Sequence, residues 1–161
     1  MKILKIFFKR KNLHRFNDLI SKYFYSAIRK IHNDYNDDAS NIWKYNPKSA
    51  TLIKRFLQFE GAGIKIATMA ANILVREFKI KLDDYYSIDI LPDVHLKRIF
   101  KRIGLFLKKS DNELIYAARE LYPEYPGIFD LSSWKIGRNS FYSRNPDCQN
   151  CYLFNYFPKI I

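Results

Sequence analysis

The stretch Phe59-Glu60-Gly61-Ala62-Gly63-Ile64-Lys65-Ile66-Ala67 decides how this chain is read. Leu52, Phe56 and Leu57 precede it at helical spacing, and a second helical pattern follows at once, from about Ile64 to Phe78. Asn46-Pro47 predicts the start of the first helix, an N-cap followed by a first-turn proline. Ala67, Ala70 and Ala71 give the second helix a face that permits close packing. A helix, Gly-x-Gly, helix arrangement presents backbone N–H groups where unpaired donors and the helix dipole favour a phosphate. A contact of that kind positions a nucleic-acid backbone without reading its sequence. Two other phosphate motifs fail. A dinucleotide fingerprint needs a third glycine where Ile66 stands, and a P-loop needs Gly-Lys-Ser/Thr. An ordinary turn between helices is the plain alternative.

Around this hairpin the pattern is helical throughout. The chain has 161 residues, of which 48% are hydrophobic and 17% aromatic, enough for one domain with a buried core. Residues 1–15 carry six basic residues and no acid. Phe16, Leu19, Ile20, Tyr23, Phe24, Ala27, Ile28 and Ile31 then share one helical face, expected to turn toward the core. Residues 33–38 read as a loop, and residues 79–92 as irregular or partly extended. Asp93 stands where an N-cap belongs. The helix after it divides into an apolar face of Leu96, Ile99, Phe100 and Ile103 and a basic face of Lys97, Arg98, Lys101 and Arg102, ending at Gly104. Ser110 to Glu113 forms a capping box for a helix to about Leu121, and Asp130 is expected to cap a short helix through Trp134. Alternating strand patterns are scarce, so the fold class is all-α.

Lys and Arg number 28 against 16 acids, a net charge of +12, which favours a polyanionic partner: nucleic acid or an anionic membrane surface. Lys108 and Lys109 continue the basic run of the Asp93 helix. No stretch reaches the roughly 20 apolar residues of a membrane span. Lys5 interrupts the only start that resembles a leader, so a cytoplasmic location is expected, on the nucleoid in a prokaryote.

Three motifs in order carry a family resemblance. Phe59 to Ala67 resembles the L-P-G-V-G-x-K-T-A hairpin of endonuclease III-type helix-hairpin-helix DNA glycosylases. Leu91-Pro-Asp93-Val-His95-Leu-Lys-Arg98-Ile resembles the V-D-T-H-x-x-R-V segment that follows it. Trp134-Lys-Ile-Gly137-Arg138, followed by Pro146-Asp-Cys148-Gln-Asn-Cys151, resembles the iron-sulfur loop that closes those proteins, and together the motifs cover about residues 57 to 157. The resemblance implies a helix-hairpin-helix glycosylase-like fold, with a basic segment over 1–15, a helical domain over 16–139 and a cluster-loop-like tail over 140–161. It implies base excision repair of damaged or abasic double-stranded DNA. Lys65 attacks the sugar C1′, Asp93 assists, and β-elimination of the Schiff base cuts the strand as an AP lyase does. Gly61, Gly63, Ile64, Lys97, Arg98, Lys101 and Arg102 become the expected DNA contacts, and His95 an ordering residue.

The chain departs from the family in two places. The cluster loop of the family is C-x6-C-x2-C-x5-C, and here the four positions read Phe141, Cys148, Cys151 and Phe157. A [4Fe–4S] cluster needs four ligands, so none is expected in the monomer. A zinc shared by the Cys148-Cys151 pairs of two copies and a redox dithiol are the lesser alternatives. Only about 58 residues precede the hairpin, a shortened N-terminal portion that self-association would have to complete. Two further functions therefore stand beside the glycosylase: a non-catalytic DNA-binding relative, and a peripheral membrane protein attached through residues 1–31.

Overall fold

The computed structural model describes residues 2–12, 14–105, 110–140, 142–151 and 155–156. Among them lie seven α-helices, two 3-10 turns and no strand, so the fold is all-α. The helices are α1 (Lys2–Lys11), α2 (Asn17–Tyr35), α3 (Ser49–Leu57), α4 (Ile64–Arg76), α5 (Val94–Arg102), α6 (Asp111–Leu121) and α7 (Phe129–Asn139). The 3-10 turns are Ala39–Ile42 and Pro126–Ile128. No helix among the described residues is long and apolar enough to cross a membrane.

Apolar burial falls into two clusters with no buried residue in common. Ile42, Leu52, Ile53, Ala67, Ala71, Leu82 and Ile88 form the first, where α3 and α4 pack together. Ile90, Leu96, Ile99, Phe100, Leu114, Ala118 and Cys151 form the second, around α5 and α6. The apolar face expected for α5 is the buried one. Its C-terminus closes through Gly104 at φ +80°, with the Gly104 N–H on the Lys101 carbonyl and the Leu105 N–H on the Phe100 carbonyl. Gly137 of α7 lets α5 approach, since a Cβ there would lie 2.8 Å from Nδ1 of His95. His95 is thus a packing residue, and its Nδ1 is buried without a hydrogen-bond partner among the described residues.

Several local expectations are corrected. The helix α2 runs through Asn33 and Asp34 to Tyr35, and the loop begins at Asn36, which takes the left-handed conformation. Asn46 does not cap α3. The N-cap position is Lys48, two residues later, and the N-terminal Ser49 is met through backbone N–H and hydroxyl by Asp84, 35 residues further on. Ser110 occupies its N-cap position without a side-chain cap bond. Asp130 lies inside α7, which extends to Asn139 rather than stopping near Trp134. The helical periodicity of residues 16–31 is real, yet Phe16, Leu19, Phe24 and Ile28 stay exposed, so most of that face does not enter the core. Within the basic N-terminal segment, α1 packs on α2, with Phe8 edge-on to Phe24 and with Lys5 and Lys9 paired to Asp18.

The hairpin between α3 and α4 is pinned from behind by α2. Gly61 has φ +85°, and an added Cβ would sit 2.4 Å from the Tyr23 ring. Lys22 pairs with Glu60 at 2.6 Å, and Tyr35 stacks on Phe59. Gly63 differs. Its backbone is extended at φ −82°, and a Cβ there would meet nothing within 4 Å. Gly61→Ala is therefore expected to destabilise the protein by about 2 kcal/mol or more, combining left-handed strain with overpacking. Gly63→Ala should cost at most about 1 kcal/mol, the difference between a glycine and an alanine N-cap. Denaturant melts of the two variants measure this contrast.

Candidate nucleic-acid interface and catalytic cavity

The hairpin exposes its outer side. Gly63 opens α4 as N-cap, and the first N–H groups of any helix lack intrahelical partners. Ile64 and Ile66 are 63% and 57% exposed, and Lys65 is exposed between them. Three exposed, uncharged residues (Gly63, Ile64 and Ile66) therefore surround a first-turn lysine at a helix start.

Behind the hairpin a cavity of about 320 Å³ opens at the seam between the two apolar clusters. Its α4 wall carries Lys65, Met69, Asn72, Ile73 and Arg76, and its opposite wall carries Leu91, Asp93, Leu96, Asp130, Leu131 and Trp134. Lys65 and Asp93, 28 residues apart in sequence, thus line one space. That space lies at the small end of the roughly 300–1,000 Å³ typical of ligand sites. Asp93 is the N-cap of α5, and one of its carboxylate oxygens accepts the N–H groups of His95 and Leu96, both at 2.8 Å. Capping and site-facing are compatible because a capping carboxylate is fixed in direction. A second, more apolar cavity of about 500 Å³ shares Lys65 with the first and is lined by Ile53, Leu57, Ile64, Ile90 and Pro92.

The cavity also contains residues that sequence periodicity did not single out. Asn72 is 2% exposed on α4 and bridges the seam: its amide donates to the Gly127 carbonyl at 2.8 Å and to Asp130 at 3.4 Å. The Tyr125 hydroxyl donates to the Asn72 carbonyl oxygen and so fixes which way the amide points. Burial pushes the Tyr125 hydroxyl up to about 12, which keeps it protonated as a donor. Asp130 accepts the Leu91 N–H at 2.9 Å through its other oxygen. Burial, with the charge of Asp93 adding to it, pushes the Asp130 carboxyl up to about 6. The available signals were an asparagine at the i+4 position of the buried Thr68 and an aspartate flanked by Phe129 and Leu131.

The basic face of α5 needs correction. Arg102 is only 8% exposed, and its guanidinium donates to the Tyr142 carbonyl, so it belongs to the interior. Lys97 pairs with Asp111 at 2.5 Å, Lys101 is exposed, and Arg98 is half-buried. Lys108 and Lys109 lie outside the described residues. A continuous four-residue cationic face is therefore not what α5 presents.

The cysteine loop does not fit an iron-sulfur cluster. Phe141 and Phe157 lie outside the described residues, and their side chains supply no thiolate. Cys148 is half-buried and Cys151 lies in the second apolar cluster, 5% exposed. A thiol packed there is poorly placed for a zinc shared with a second copy. Among the described residues no group of three or more His, Cys, Asp or Glu side chains is arranged to hold a metal.

No protein-family model matches the chain, and no curated protein matches it significantly.

The raised Asp130 carboxyl has a consequence for stability. The folded state holds that proton more tightly than the unfolded chain. Asp130 therefore contributes stability at low pH that is lost as pH rises from the ordinary carboxylate range through about 6. Asp130→Asn should flatten the fall in melting temperature across that window. A variant whose pH dependence there matches the wild type would contradict the assignment.

Proposed function

We propose that the chain is an endonuclease III-like helix-hairpin-helix protein that binds double-stranded DNA and acts on damaged or abasic sites as a glycosylase with AP lyase activity. The observation that carries this reading is the shared cavity of Lys65 and Asp93 immediately behind a hairpin at whose outer glycine, Gly63, an added Cβ would meet nothing within 4 Å among the described residues. A glycine with ordinary dihedrals and open space around it suits close approach by something outside, and a phosphate at the helix start fits the donors there.

In this reading the hairpin seats the DNA backbone, and the target nucleotide is flipped from the stack toward the seam. Trp134 and Met69 offer the base an apolar wall. Lys65 attacks the sugar C1′ and displaces the base. Asp93, held by two backbone N–H groups, supplies a fixed counter-charge to the cationic sugar. The covalent lysine–sugar adduct then opens to a Schiff base, from which β-elimination cuts the strand. Lys101 and the exposed first turn of α4 extend the contact along the duplex.

Borohydride trapping tests it. Wild type incubated with an abasic duplex should yield a covalent protein–DNA adduct, and Lys65→Ala should yield none. Gly63→Val should weaken binding to undamaged duplex about tenfold, with the salt dependence of a phosphate contact retained. Binding without any adduct would reduce the protein to a non-catalytic DNA-binding relative.

A second reading attaches to the N-terminal helix pair. Ile3, Ile6 and Phe7 are exposed on α1, whose only charged residues are Lys2, Lys5, Lys9, Arg10 and Lys11. Phe24 and Ile28 extend the apolar surface onto α2. Amphipathic cationic helices of this composition lie in anionic lipid interfaces. Vesicles rich in anionic lipid should co-sediment the wild type and fail to retain an Ile3→Ser/Phe7→Ser variant, with no change on mutating the hairpin. Equal partitioning to neutral vesicles would remove this role.

A further inference from the structure

Asp130 sits in the cavity without a task in the two-residue scheme. Its position is built rather than incidental. Two groups bond it directly, the Leu91 N–H at 2.9 Å and the Asn72 amide at 3.4 Å, and that amide is itself oriented by the Gly127 carbonyl and the Tyr125 hydroxyl. Gly127 itself is required, because a Cβ there would press to 2.7 Å from the Ile88 carbonyl oxygen and 3.2 Å from the Asn72 amide nitrogen. Such an arrangement fixes the carboxyl of Asp130 against the backbone on one side and faces it to the cavity on the other.

The charged and titratable groups around Asp130 are few. From α4 come Lys65 and Arg76, from the turn before α5 comes Asp93, and Tyr125 acts through Asn72. Its α7 neighbours in the cavity, Leu131 and Trp134, carry no charge. Arg76 is drawn partly to Glu77, at 2.8 Å. The pocket therefore holds two carboxylates in unlike settings. Asp93 lies at a helix start with two backbone donors on one oxygen, which suits a fixed anion. Asp130 is bonded by the Leu91 N–H and the Asn72 amide, and burial, with the charge of Asp93 adding to it, pushes its carboxyl up to about 6. A carboxyl in such a setting suits acid-base work, and one fixed by backbone donors suits charge stabilisation.

We propose that Asp130 is the proton carrier of the reaction: it takes a proton from the Lys65 ammonium and delivers it to the departing base. The inference rests on the glycosylase reading above. Transfer of the proton from Nζ of Lys65 leaves a neutral amine and a protonated Asp130. The amine lone pair forms the Nζ–C1′ bond as the glycosidic C1′–N bond breaks, and that bonding pair leaves on the base nitrogen. Asp130 then gives its proton to this nitrogen. The step ends with a neutral base, an ionised Asp130 and a secondary ammonium joining Lys65 to C1′. No metal or further reactant enters. On an already abasic substrate the group that leaves C1′ is water, which solvent can protonate, so the acid half of this cycle matters most where a base is still attached.

That asymmetry gives the test. Adduct formation is followed by borohydride trapping on two duplexes, one abasic and one carrying an oxidised pyrimidine, between about pH 5 and 8. Asp130→Asn should slow trapping on the base-bearing duplex by about a hundredfold or more and remove the pH-dependent limb associated with Asp130. On the abasic duplex the loss should be smaller by about tenfold or more. Equal losses on both duplexes, or an unchanged pH limb, would overturn the assignment while leaving the glycosylase reading in place. Wild type that traps abasic DNA and never the base-bearing duplex would also overturn it. Absence of any wild-type adduct would remove the parent reading and this one with it. Should the Asn variant fail to melt cooperatively, carboxyl carbon NMR of the intact wild type decides, since an Asp130 that titrates in the ordinary carboxylate range cannot carry the proton.

Discussion

The structure depends on one buried amide. Asn72 sits on α4 among residues of the first apolar cluster, and its side chain reaches to Gly127 and Asp130, which flank Phe129, a residue packed on the second. A primary amide buried without partners is costly, by about 1–3 kcal/mol for each group left unsatisfied. Here every direction is assigned: the carbonyl oxygen to Tyr125 and the amide hydrogens to Gly127 and Asp130. Apolar contact would hold the two clusters together in many relative orientations. The amide selects one, because hydrogen bonds are directional and a buried unpaired donor is not tolerated. The bidentate pair of Arg119 with Asp89 and the Gly127 N–H on the Ile88 carbonyl reinforce the same joint. The placement of Lys65 opposite Asp93 follows from that joint, since one residue belongs to α4 and the other precedes α5.

Much of the fold was legible in the sequence. The Gly-x-Gly break, the Asp93 cap, the buried face of α5 and its glycine stop are all local devices, encoded within a few residues of where they act. The misreadings share a cause. Ser49 takes its cap partner from Asp84, and Arg102 finds the Tyr142 carbonyl, so neither partner is near in the chain. Periodicity correctly made residues 17–31 helical, but it does not report whether a partner surface exists to cover the apolar face. Of the cavity, the two residues carried by motifs were readable. Asn72 and Asp130 were not, because a buried polar group on an apolar helix face has no periodic signature and declares itself only through its partners.

The two glycines of the hairpin separate internal from external constraint. Gly61 is explained by the protein alone, through its positive φ and the Tyr23 ring. Gly63 needs no glycine for space or dihedral among the described residues and serves as the N-cap of α4, although both occupy the same short turn. The tyrosine that demands the first glycine also locks the hairpin to α2, so the exposed N–H groups at the start of α4 are held in a fixed direction. Rigidity on the inner side is what gives an outward-facing set of donors a defined geometry.

The separateness of the two apolar clusters bears on motion. A joint built around a handful of hydrogen bonds, with Asn72 the buried side chain that spans it, is expected to open at a lower free energy than either half melts. The plane of easiest opening therefore coincides with the cavity. Widening there would swing α4 away from α5 and α7, enlarging the seam while leaving each apolar cluster intact, and re-forming the Asn72 bonds would close it in a single register. The plane of easiest opening thus runs past Lys65, Asp93 and Asp130, so that parting these three side chains and restoring their alignment are opposite directions of one movement.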